Sequence, residues 1–477
     1  MLLLGLIVLP LAGALVALAT PSARVRPVIV AGVGLVHLLG VVTVRSGDTV
    51  LGGWFAVDAL GHLILAVVSV LFSLCALYGI EYLRIRKERP NRIFCACLLT
   101  FLSMATAITV AQHLAVVWVA VEGATLSTAV LIYFNQNARS LEAAWKYLVI
   151  GSVGIALALL GSLFVAYAAL KGAAGDESLL FGALLQHAGG LSHPWLRAGF
   201  VLLLVGYGTK MGLAPMHTWK PDAYGEAPGI IGALLAGGMT NCAFLALLRV
   251  YRVMQAAGEG AFARELFLAF GLLSMALAAA FMAGQRDFKR MLAYSSVEHM
   301  GILVLGIGVG GIAVFGALLH VINNALTKVI LFLSAGNIHR AYGSKTTDLV
   351  SGALRRVPLS GALFLVGFLA ITGSPPFGPF ISEFTILTGA MTGRHFVVAA
   401  LFLVFLVIIF IGMGSTVLKV VQGPVSAAGG TTDFKDSFWR DAPMLVALVM
   451  VVIMGTWIPG TVYDLVLAAA KMLEGAS

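Results

Sequence analysis

The sequence predicts an all-α polytopic membrane protein, and two observations lead to this fold class. Of the 477 residues, 60% are hydrophobic and only 11% are charged, whereas soluble domains carry about 25% charged residues. Apolar runs of about 20 residues, the length that crosses the hydrocarbon core of a bilayer, recur along the whole chain. We therefore expect an integral membrane protein without a separate soluble domain.

Fourteen apolar runs predict about 14 transmembrane helices. They cover approximately residues 1–20, 27–45, 58–83, 93–111, 113–134, 143–170, 197–216, 229–253, 262–284, 291–310, 312–339, 357–393, 395–421 and 441–470. The first run lacks the basic segment and the cleavage site of a signal peptide, so we expect a retained helix. The fourth and fifth runs are predicted to separate near Gln112 and His113.

Basic residues are distributed between alternate loops, and this distribution predicts the orientation in the membrane. The odd-numbered loops contain Arg24 and Arg26; Arg84, Arg86, Lys87, Arg89 and Arg92; Arg139; Lys220; Arg286, Lys289 and Arg290; Arg340, Lys345, Arg355 and Arg356; Lys435 and Arg440. The even-numbered loops contain Arg45, Lys171, Arg197, Arg249, Arg252, Arg264 and Arg394. Because cytoplasmic loops are enriched in Lys and Arg, the odd-numbered loops are predicted on the cytoplasmic side of a bacterial or archaeal inner membrane. Both termini are then predicted on the outer, periplasmic side. The net charge of +9 is accordingly a topology signal and not the mark of a nucleic-acid-binding protein.

Two proline-rich segments, residues 210–229 and 373–384, interrupt the helical pattern at membrane depth. Proline removes a backbone donor and clashes with the preceding turn, so spans seven and twelve are predicted to be broken helices. Broken helices in corresponding halves of a transporter mark inverted repeats. We expect an N-terminal three-helix segment (1–92), two inverted five-helix repeats (93–254, spans 4–8, and 255–422, spans 9–13) and a C-terminal helix (423–477).

Four ionisable residues lie in or beside the apolar spans: Lys210, Lys328, Glu122 and Glu383. Each lysine has a carboxylate in another apolar segment as a candidate partner. An ionisable group at bilayer depth costs roughly 2.5–3.5 kcal/mol, so these residues predict an ion or proton pathway.

Glu122 is expected to change the proton affinity of Lys210 as an ion pair between them forms and breaks. Moving one proton against about 150 mV requires roughly 3.5 kcal/mol, which one ion pair in a low-dielectric site can supply. The alternative is a static buried ion pair that fixes helix packing.

Further polar residues extend the predicted pathway. His320, Asn324 and Lys328 are spaced four residues apart and share one helix face, which suits a water-linked proton relay or, alternatively, hydrogen bonds between helices. His299 follows Glu298 near the start of span ten, where it either receives cytoplasmic protons or caps the helix.

The first break contains His217 and Asp222, which either shape a route for proton uptake or satisfy free backbone groups. Asp58 is predicted to be structural, and Lys146 is predicted to extend from the membrane interface towards water, with a role in coupling as the alternative. No dinucleotide-binding, Walker, CxxC-pair or haem motif is present. We therefore expect no catalytic nucleophile, no bound cofactor and no metal in this chain.

Five motifs carry a resemblance to a known superfamily: VWVAVE (117–122), KMGLAPMHTWKPDAYGEAP (210–228), DFKRMLAYSSVEHMG (287–301), HVINNALTK (320–328) and GSPPFGPFISEF (373–384). The chain resembles, over nearly its whole length, the antiporter-like membrane subunits of respiratory complex I, Mrp antiporters and group 4 membrane-bound hydrogenases. The combination YSSVEHMG, LTK and PPFGPFISEF is most similar to the hydrogenase-4 component F branch.

The resemblance implies roles for individual residues. Glu122 matches the family's helix-five glutamate and Lys210 the helix-seven lysine. Lys328 matches the helix-eleven lysine of the central axis, and Glu383 the terminal ionisable position of broken helix twelve. Asn241 stands where many relatives have a helix-eight lysine, so the link between Lys210 and Lys328 is left open, with water or nearby histidines as the expected bridge.

Three more positions depart from the family pattern. Asn324 stands where some relatives have histidine, Lys220 replaces a usual leucine, and Tyr224 replaces a usual histidine.

The resemblance implies a proton-translocating subunit of a redox complex most similar to a group 4 [NiFe] hydrogenase. The partners it implies are antiporter-like and quinone-site-type membrane subunits and a peripheral hydrogenase or dehydrogenase arm, which would hold the [NiFe] and iron–sulfur centres. The transported ion would be H⁺ or Na⁺. Two alternatives stay open: a Mrp-like Na⁺/H⁺ antiporter subunit without redox partners, and a non-pumping structural membrane anchor.

Overall fold

The structure is a computed structural model that describes residues 2–45, 47–172, 179–425 and 432–475. Met1 and residues 476–477, which belong to the termini whose orientation is predicted above, lie outside the described residues.

The described residues form a bundle of α-helices. In chain order these are α1 (Leu2–Ala19), α2 (Val25–Thr43), α3 (Ala59–Ile85), α4 (Arg92–Val110), α5 (Leu114–Ile132), α6 (Ala138–Lys171), α7 (Phe181–Gln186), α8 (His193–Met211), α9 (Lys220–Glu226), α10 (Gly229–Leu234), α11 (Thr240–Ala256), α12 (Gly260–Met282), α13 (Phe288–Val309), α14 (Ile312–Tyr342), α15 (Ala353–Arg356), α16 (Pro358–Ile371), α17 (Gly378–Thr392), α18 (Phe396–Val421), α19 (Phe438–Thr456) and α20 (Gly460–Glu474). A π-helical turn, Leu235–Met239, joins α10 to α11, and 3₁₀ turns cover Tyr133–Asn135 and Ala188–Gly190. Strands β1 (Thr49–Val50) and β2 (Phe55–Ala56) form a short antiparallel hairpin.

Twelve helices of the described chain are long and apolar enough to cross a membrane. This finding confirms the predicted all-α polytopic membrane fold. The fourth and fifth spans separate as predicted, because α4 ends at Val110 and α5 begins at Leu114. The total of fourteen crossings stays a prediction.

The central and outer helices differ in burial. Most of the segment Gly229–Ala256 is buried, as are most of α13 and α14, whereas α1, α12 and α18 present much of their apolar surface outwards. Glycines allow the closest packing: a Cβ atom at Gly206 or Gly199 of α8 would meet the backbone of α6. Small residues at helix contacts are the common solution where the surrounding solvent is itself apolar.

Both predicted helix breaks are present. Residues 212–219 separate α8 from α9, and residues 372–377 separate α16 from α17. Gly212 has φ of +73° and Gly373 has φ of +67°, a left-handed conformation that ends helices and favours glycine. Each break is only partly buried: Gly212 is buried and Pro215 is exposed in the first, whereas Gly373 is half-buried and Pro375 is exposed in the second.

The C-terminal segment corrects one prediction. A single helix was expected over residues 441–470, but α19 ends at Thr456 and α20 begins at Gly460. Pro459 lies between them and lacks the N–H that a continuous helix needs.

Alternate loops lie at opposite ends of the bundle. A cavity of about 580 Å³ is lined by residues from five odd-numbered loops, among them Arg86, Arg139, Glu226, Asp287 and Lys345. Residues of the even-numbered loops meet at another groove, which includes Gln112, Phe181 and Arg252. The predicted alternation is therefore present, whereas the end that faces the cytoplasm stays a prediction.

Five basic residues that were predicted to be loop charges are buried instead: Arg26, Lys220, Arg249, Lys289 and Arg440. Arg249 donates hydrogen bonds to the carbonyl groups of Ile108, Thr109 and Ala111 at the end of α4, where free helix carbonyls attract a cation. Arg440 pairs with Asp441 at 2.9 Å inside α19. Lys220 lies in the interior and is described with the site.

Candidate functional site

Lys210 lies in the last turn of α8 and is only 1% exposed. Its Nζ donates a 2.7 Å hydrogen bond to Thr125 Oγ1 on α5 and lies 5.3 Å from the centre of the Tyr147 ring on α6. Gly151 of α6 makes room for the ammonium group, because a Cβ atom there would overlap Nζ. The lysine is thus held by a hydroxyl group and an aromatic face, both of which can accept an ammonium ion.

Glu122 does not form the expected ion pair with Lys210. No described carboxylate oxygen lies within 4 Å of Lys210 Nζ. Glu122 is half-buried on α5, where Oε1 accepts a hydrogen bond of 3.2 Å from Ser152 and Oε2 is buried without a hydrogen-bond partner among the described residues. Glu122 therefore contacts Ser152, the residue that follows Gly151 on α6, and not Lys210 itself.

Lys328 repeats the same arrangement in the second half of the chain. It is fully buried on α14, and Nζ donates a 2.8 Å hydrogen bond to Ser295 Oγ on α13. Within the described ranges no carboxylate lies within 4 Å of this lysine either. Glu298, which is buried one turn beyond Ser295 on α13, is the carboxylate of that helix nearest to the contact.

Lys220 is the most unexpected member of the site. It begins α9 inside the first break, and it is fully buried. Its Nζ donates to Ser296 Oγ at 3.0 Å and lies 5.8 Å from the centre of the Tyr224 ring. Lys220 was predicted to be a loop charge, and its burial corrects that prediction.

Two histidines connect α13, α14 and α17. His299 Nδ1 and His320 Nε2 are 2.9 Å apart, and His320 Nδ1 lies 2.8 Å from Ser382 Oγ. His299 is in the interior of α13, whose N-terminus is capped by the Asp287 side chain. The alternative of His299 as a helix cap is therefore wrong.

Glu383 lies close to both His299 and His320. One ligand atom from each of His299, His320 and Glu383 lies within 4.8 Å of the others, so the three residues form one buried cluster. By donor type they are also the described residues best suited to hold a cation. Glu383 Oε1 has no hydrogen-bond partner among the described residues, and its Oε2 lies against Gly373 in the second break.

The asparagines are buried with free hydrogen-bonding capacity. Asn241 donates to Gly237 O in the preceding turn, but its Oδ1 has no partner in the described structure, and neither amide atom of Asn324 has one. Its neighbour Asn323 is the residue that reaches the second break, with a 2.8 Å hydrogen bond to Gly378 O. Buried polar atoms of this kind are positions where a water molecule can bind.

The remaining predicted residues have other surroundings. Asp222 forms ion pairs with Lys146, at 2.8 Å, and with Arg290. His217 is buried beside Phe281 and Tyr294. Neither residue contacts Lys210.

Two residues expected to be structural or interfacial also have clear partners. Asp58 caps the N-terminus of α3 and pairs with Arg249, which agrees with a structural role. The Lys146 side chain is 44% exposed and binds Glu142 and Asp222.

The family of the chain follows from a match over the region that contains this site. A family model described as "NADH:quinone oxidoreductase/Mrp antiporter, TM" matches residues 111–411. The chain belongs to this family. As a member, it is an antiporter-like membrane subunit, and the resemblance inferred from the motifs is confirmed.

Three relatives illustrate the range of the family. The hydrogenase-4 component F homolog of Methylacidiphilum infernorum is 34% identical over 423 residues, which cover 87% of this chain and 87% of that protein. NADH-quinone oxidoreductase subunit N of Desulforudis audaxviator is 32% identical over 71% of this chain and 67% of that protein. F(420)H(2) dehydrogenase subunit N of Methanosarcina mazei is 29% identical over 89% of this chain and 86% of that protein.

Chains of three solved membrane complexes have the same fold. A chain of the archaeal membrane-bound sulfane sulfur reductase superposes with a TM-score of 0.87 at 20% identity, over 99% of this chain and 98% of that chain. A chain of the Mrp complex from Dietzia sp. DQ12-45-1b superposes with a TM-score of 0.87 at 18% identity, over 100% of this chain and 98% of that chain. A chain of respiratory complex I from Thermus thermophilus superposes with a TM-score of 0.83 at 24% identity, over 99% of this chain and 100% of that chain.

Proposed function

We propose that this family member is a proton-translocating subunit of a multisubunit membrane complex whose electron transfer takes place in partner subunits. The observation that best supports the proposal is a row of buried polar groups that reaches both helix breaks. Lys210 lies beside the first break, Lys328 follows in α14, and the cluster of His299, His320 and Glu383 lies at the second break. Buried ionisable groups that line irregular backbone are typical of proton pathways in membranes.

The hydroxyl partners of the two lysines suit proton transfer. A carboxylate within hydrogen-bonding distance would hold an ammonium ion strongly, whereas Thr125 and Ser295 supply a single neutral acceptor each. Each lysine therefore takes up and releases its proton at a moderate cost. Moving one proton against about 150 mV requires roughly 3.5 kcal/mol, and a change in the distance of Glu122 or Glu298 from a lysine can supply energy of this size.

The second break supplies the far end of the row. His320 shares hydrogen bonds with His299 and Ser382, so a proton that arrives at one ring nitrogen can leave from the other. Glu383 then accepts the proton and releases it towards the opposite face. Asn241 and Asn324 have free polar atoms that can hold the water molecules between these groups.

The two halves of the chain act as inverted repeats, residues 93–254 and 255–422. Each half has one broken helix and a buried lysine of a long helix that donates to a hydroxyl group of another helix, Lys210 in the first half and Lys328 in the second. This correspondence supports the repeats, which in turn account for two proton-carrying lysines in one chain.

The partners are other antiporter-like and quinone-site-type membrane subunits and a peripheral hydrogenase or dehydrogenase arm, which carries the [NiFe] and iron–sulfur centres. The chain itself carries no cofactor. Support comes from the relatives, whose names describe components or subunits of hydrogenase-4, NADH-quinone oxidoreductase and F(420)H(2) dehydrogenase.

The odd-numbered loops face the cytoplasm, and the termini lie on the outer side. Support comes from the cavity at the odd-loop end, which collects Arg86, Arg139 and Lys345. A reporter inserted in the 84–92 loop should read cytoplasmic and one fused after Ser477 should read periplasmic. A cytoplasmic C-terminus would contradict this orientation.

Purification of the intact complex through a tag on this chain tests the function. Mass spectrometry of the co-purifying subunits identifies the electron donor, and the complex in liposomes is then assayed with a pH-sensitive dye during electron transfer. Proton uptake abolished by a protonophore supports the proposal. Partners without redox centres, or flux that needs Na⁺, would favour the Mrp-like alternative, and electron transfer without any ion movement would favour the structural anchor.

A further inference from the structure

We propose that Lys220 is a proton-carrying site that connects Lys210 to Lys328. This inference rests on the proposed function, because it names the group through which the two lysines exchange protons. Asn241 of α11 supplies an amide, which does not titrate, so a titrating group elsewhere in the interior is needed to carry protons between the two halves.

Lys220 contacts α13 directly beside the contact that Lys328 makes with the same helix. Lys220 Nζ donates to Ser296 Oγ at 3.0 Å, and Lys328 Nζ donates to Ser295 Oγ at 2.8 Å. The two serines are consecutive residues, with Cα atoms about 3.8 Å apart. Lysines from two different helices, α9 and α14, therefore bind neighbouring hydroxyl groups of α13. A hydroxyl group donates and accepts at once, so it can pass a proton from one amine to the next.

Lys220 also lies beside the end of α8. Gly212, two residues after Lys210, lies against the aliphatic part of the Lys220 side chain, and a Cβ atom at Gly212 would overlap Cδ and Cε. Gly212 has φ of +73°, so both its conformation and its lack of a side chain allow Lys220 to fold back towards the end of α8.

Aromatic rings line the interior between Lys210 and Lys220. The Tyr147 ring is 5.0 Å from that of Trp219, which is 5.9 Å from that of Tyr224. Lys210 Nζ is 5.3 Å from the Tyr147 ring, and Lys220 Nζ is 5.8 Å from the Tyr224 ring. These faces stabilise an ammonium ion without neutralising it, and the buried Tyr224 hydroxyl lies close to Ser296, whose hydroxyl also accepts from Lys220 Nζ.

A purely structural role does not account for Lys220. Burying an ammonium ion is costly unless it is paired, and no carboxylate lies within 4 Å of it among the described residues. A leucine or methionine would fill the same space without that cost. In the proposed exchange, the Lys210 ammonium gives its proton to the Lys220 amine, and the Lys220 ammonium then gives one to the Lys328 amine, so that charge and protons balance at each step.

The test compares four side chains at one position in the intact complex in liposomes, with protons translocated per electron pair as the readout. Lys220→Met removes the amine, Lys220→Arg keeps a positive charge that does not deprotonate, and Lys220→His keeps a titrating nitrogen. Lys419→Met, at an exposed lysine in the last turn of α18, is the matched control. Lys210→Met and Lys328→Met report on the proposed function itself.

We expect the Met and Arg variants to lose most of their proton translocation while the control pumps as the wild type does. The His variant should keep part of it, with its optimum moved to lower pH. Full pumping by Lys220→Arg would show that only a fixed charge is needed, and full pumping by Lys220→Met would show a packing role; either result overturns the inference. If Lys210→Met and Lys328→Met also pump normally, the proposed function fails as well. If Lys220→Met does not assemble, the comparison of Lys220→Arg with Lys220→His tests the inference, because of these two side chains only histidine can release its proton.

Discussion

Lys210 and Thr125 are joined by a hydrogen bond of 2.7 Å that links the last turn of α8 to α5. This bond, rather than an ion pair with Glu122, fixes the position of the buried ammonium group. Ser295 holds Lys328 in the same way. The proton affinity of each lysine therefore depends on one neutral hydroxyl group and on the space around it, and both can be changed by small substitutions.

Thr125→Val should weaken proton translocation without unfolding the chain. Valine keeps the shape of threonine but leaves the Lys210 ammonium without its hydroxyl partner, at a cost of about 1.5–3 kcal/mol for a hydrogen bond to a charged group. We expect several-fold lower translocation per electron pair in liposomes. Thr100→Val is the control, because the Thr100 hydroxyl bonds only the backbone of its own helix, at Ala96. Equal effects of both variants would mean that the Thr125 bond has no special role.

Gly151→Ala tests the space around Lys210. A Cβ atom at Gly151 would overlap Nζ and push the ammonium group away from Thr125. Translocation should fall although alanine favours the helix. Gly79→Ala is the control, because a Cβ atom there would only touch Ile230 Cδ1 at 3.7 Å. Normal pumping by the Gly151 variant would contradict the position assigned to the ammonium group.

The sequence predicted much of this site because charges inside apolar runs are rare and costly. Lys210, Lys328 and Glu383 were recognised for that reason, and the prolines around residues 215 and 376 predicted both broken helices. Lys220 was missed because it stands between Pro215 and Pro221 in a polar stretch that is indistinguishable from a loop.

Other features of the site gave no distinct signal in the sequence. Ser295, Ser296 and Thr125 resemble ordinary helix residues, whose hydroxyl groups usually bond to their own backbone. Asn323 and Asn324 are adjacent, and only the packing of α14 against α17 decides which one reaches the second break. The hydroxyl partners of the lysines are therefore a property of the tertiary structure alone.

Glu383 should act by titration and not by packing. Glu383→Gln keeps the size and the hydrogen-bonding capacity of the side chain but cannot carry a proton, so translocation should be lost while electron transfer continues. Glu383→Lys restores a titrating group and should be tolerated better than the glutamine variant. Full pumping by Glu383→Gln, measured as protons per electron pair, would show that this residue serves helix packing only.

The loop between α11 and α12 offers a test of stability against pH. Arg197 and His193 bind Glu259 and hold the pKa of its carboxyl below the usual range. Its contribution to stability is therefore present above the unfolded pKa of about 4.3 and is lost as the pH falls through the lower folded pKa. The melting temperature in detergent should be lowered by Glu259→Gln at pH 7, and the difference should shrink as the pH falls below about 4 and be small near a pH of about 2.

Glu265→Gln provides the matched control for that measurement. Glu265 is an exposed carboxylate on the neighbouring α12. Its replacement should change the melting temperature little at either pH. The same loss for both glutamines, or a loss for Glu259→Gln that is as large near a pH of about 2 as at pH 7, would contradict the role given to the Arg197 and His193 contacts.

In the proposed function, protons pass through the buried groups that lead from Lys210 through Lys328 to Glu383. The most direct measurement is the number of protons translocated per electron pair by the intact complex with Lys328→Met, compared with Lys419→Met. Lys328 is fully buried on α14 and held by Ser295, whereas Lys419 is exposed at the end of α18. We expect the complex with Lys328→Met to assemble and transfer electrons but to translocate few or no protons through this subunit, while the complex with Lys419→Met translocates the full number. An unchanged proton count for Lys328→Met would contradict the proposed proton pathway.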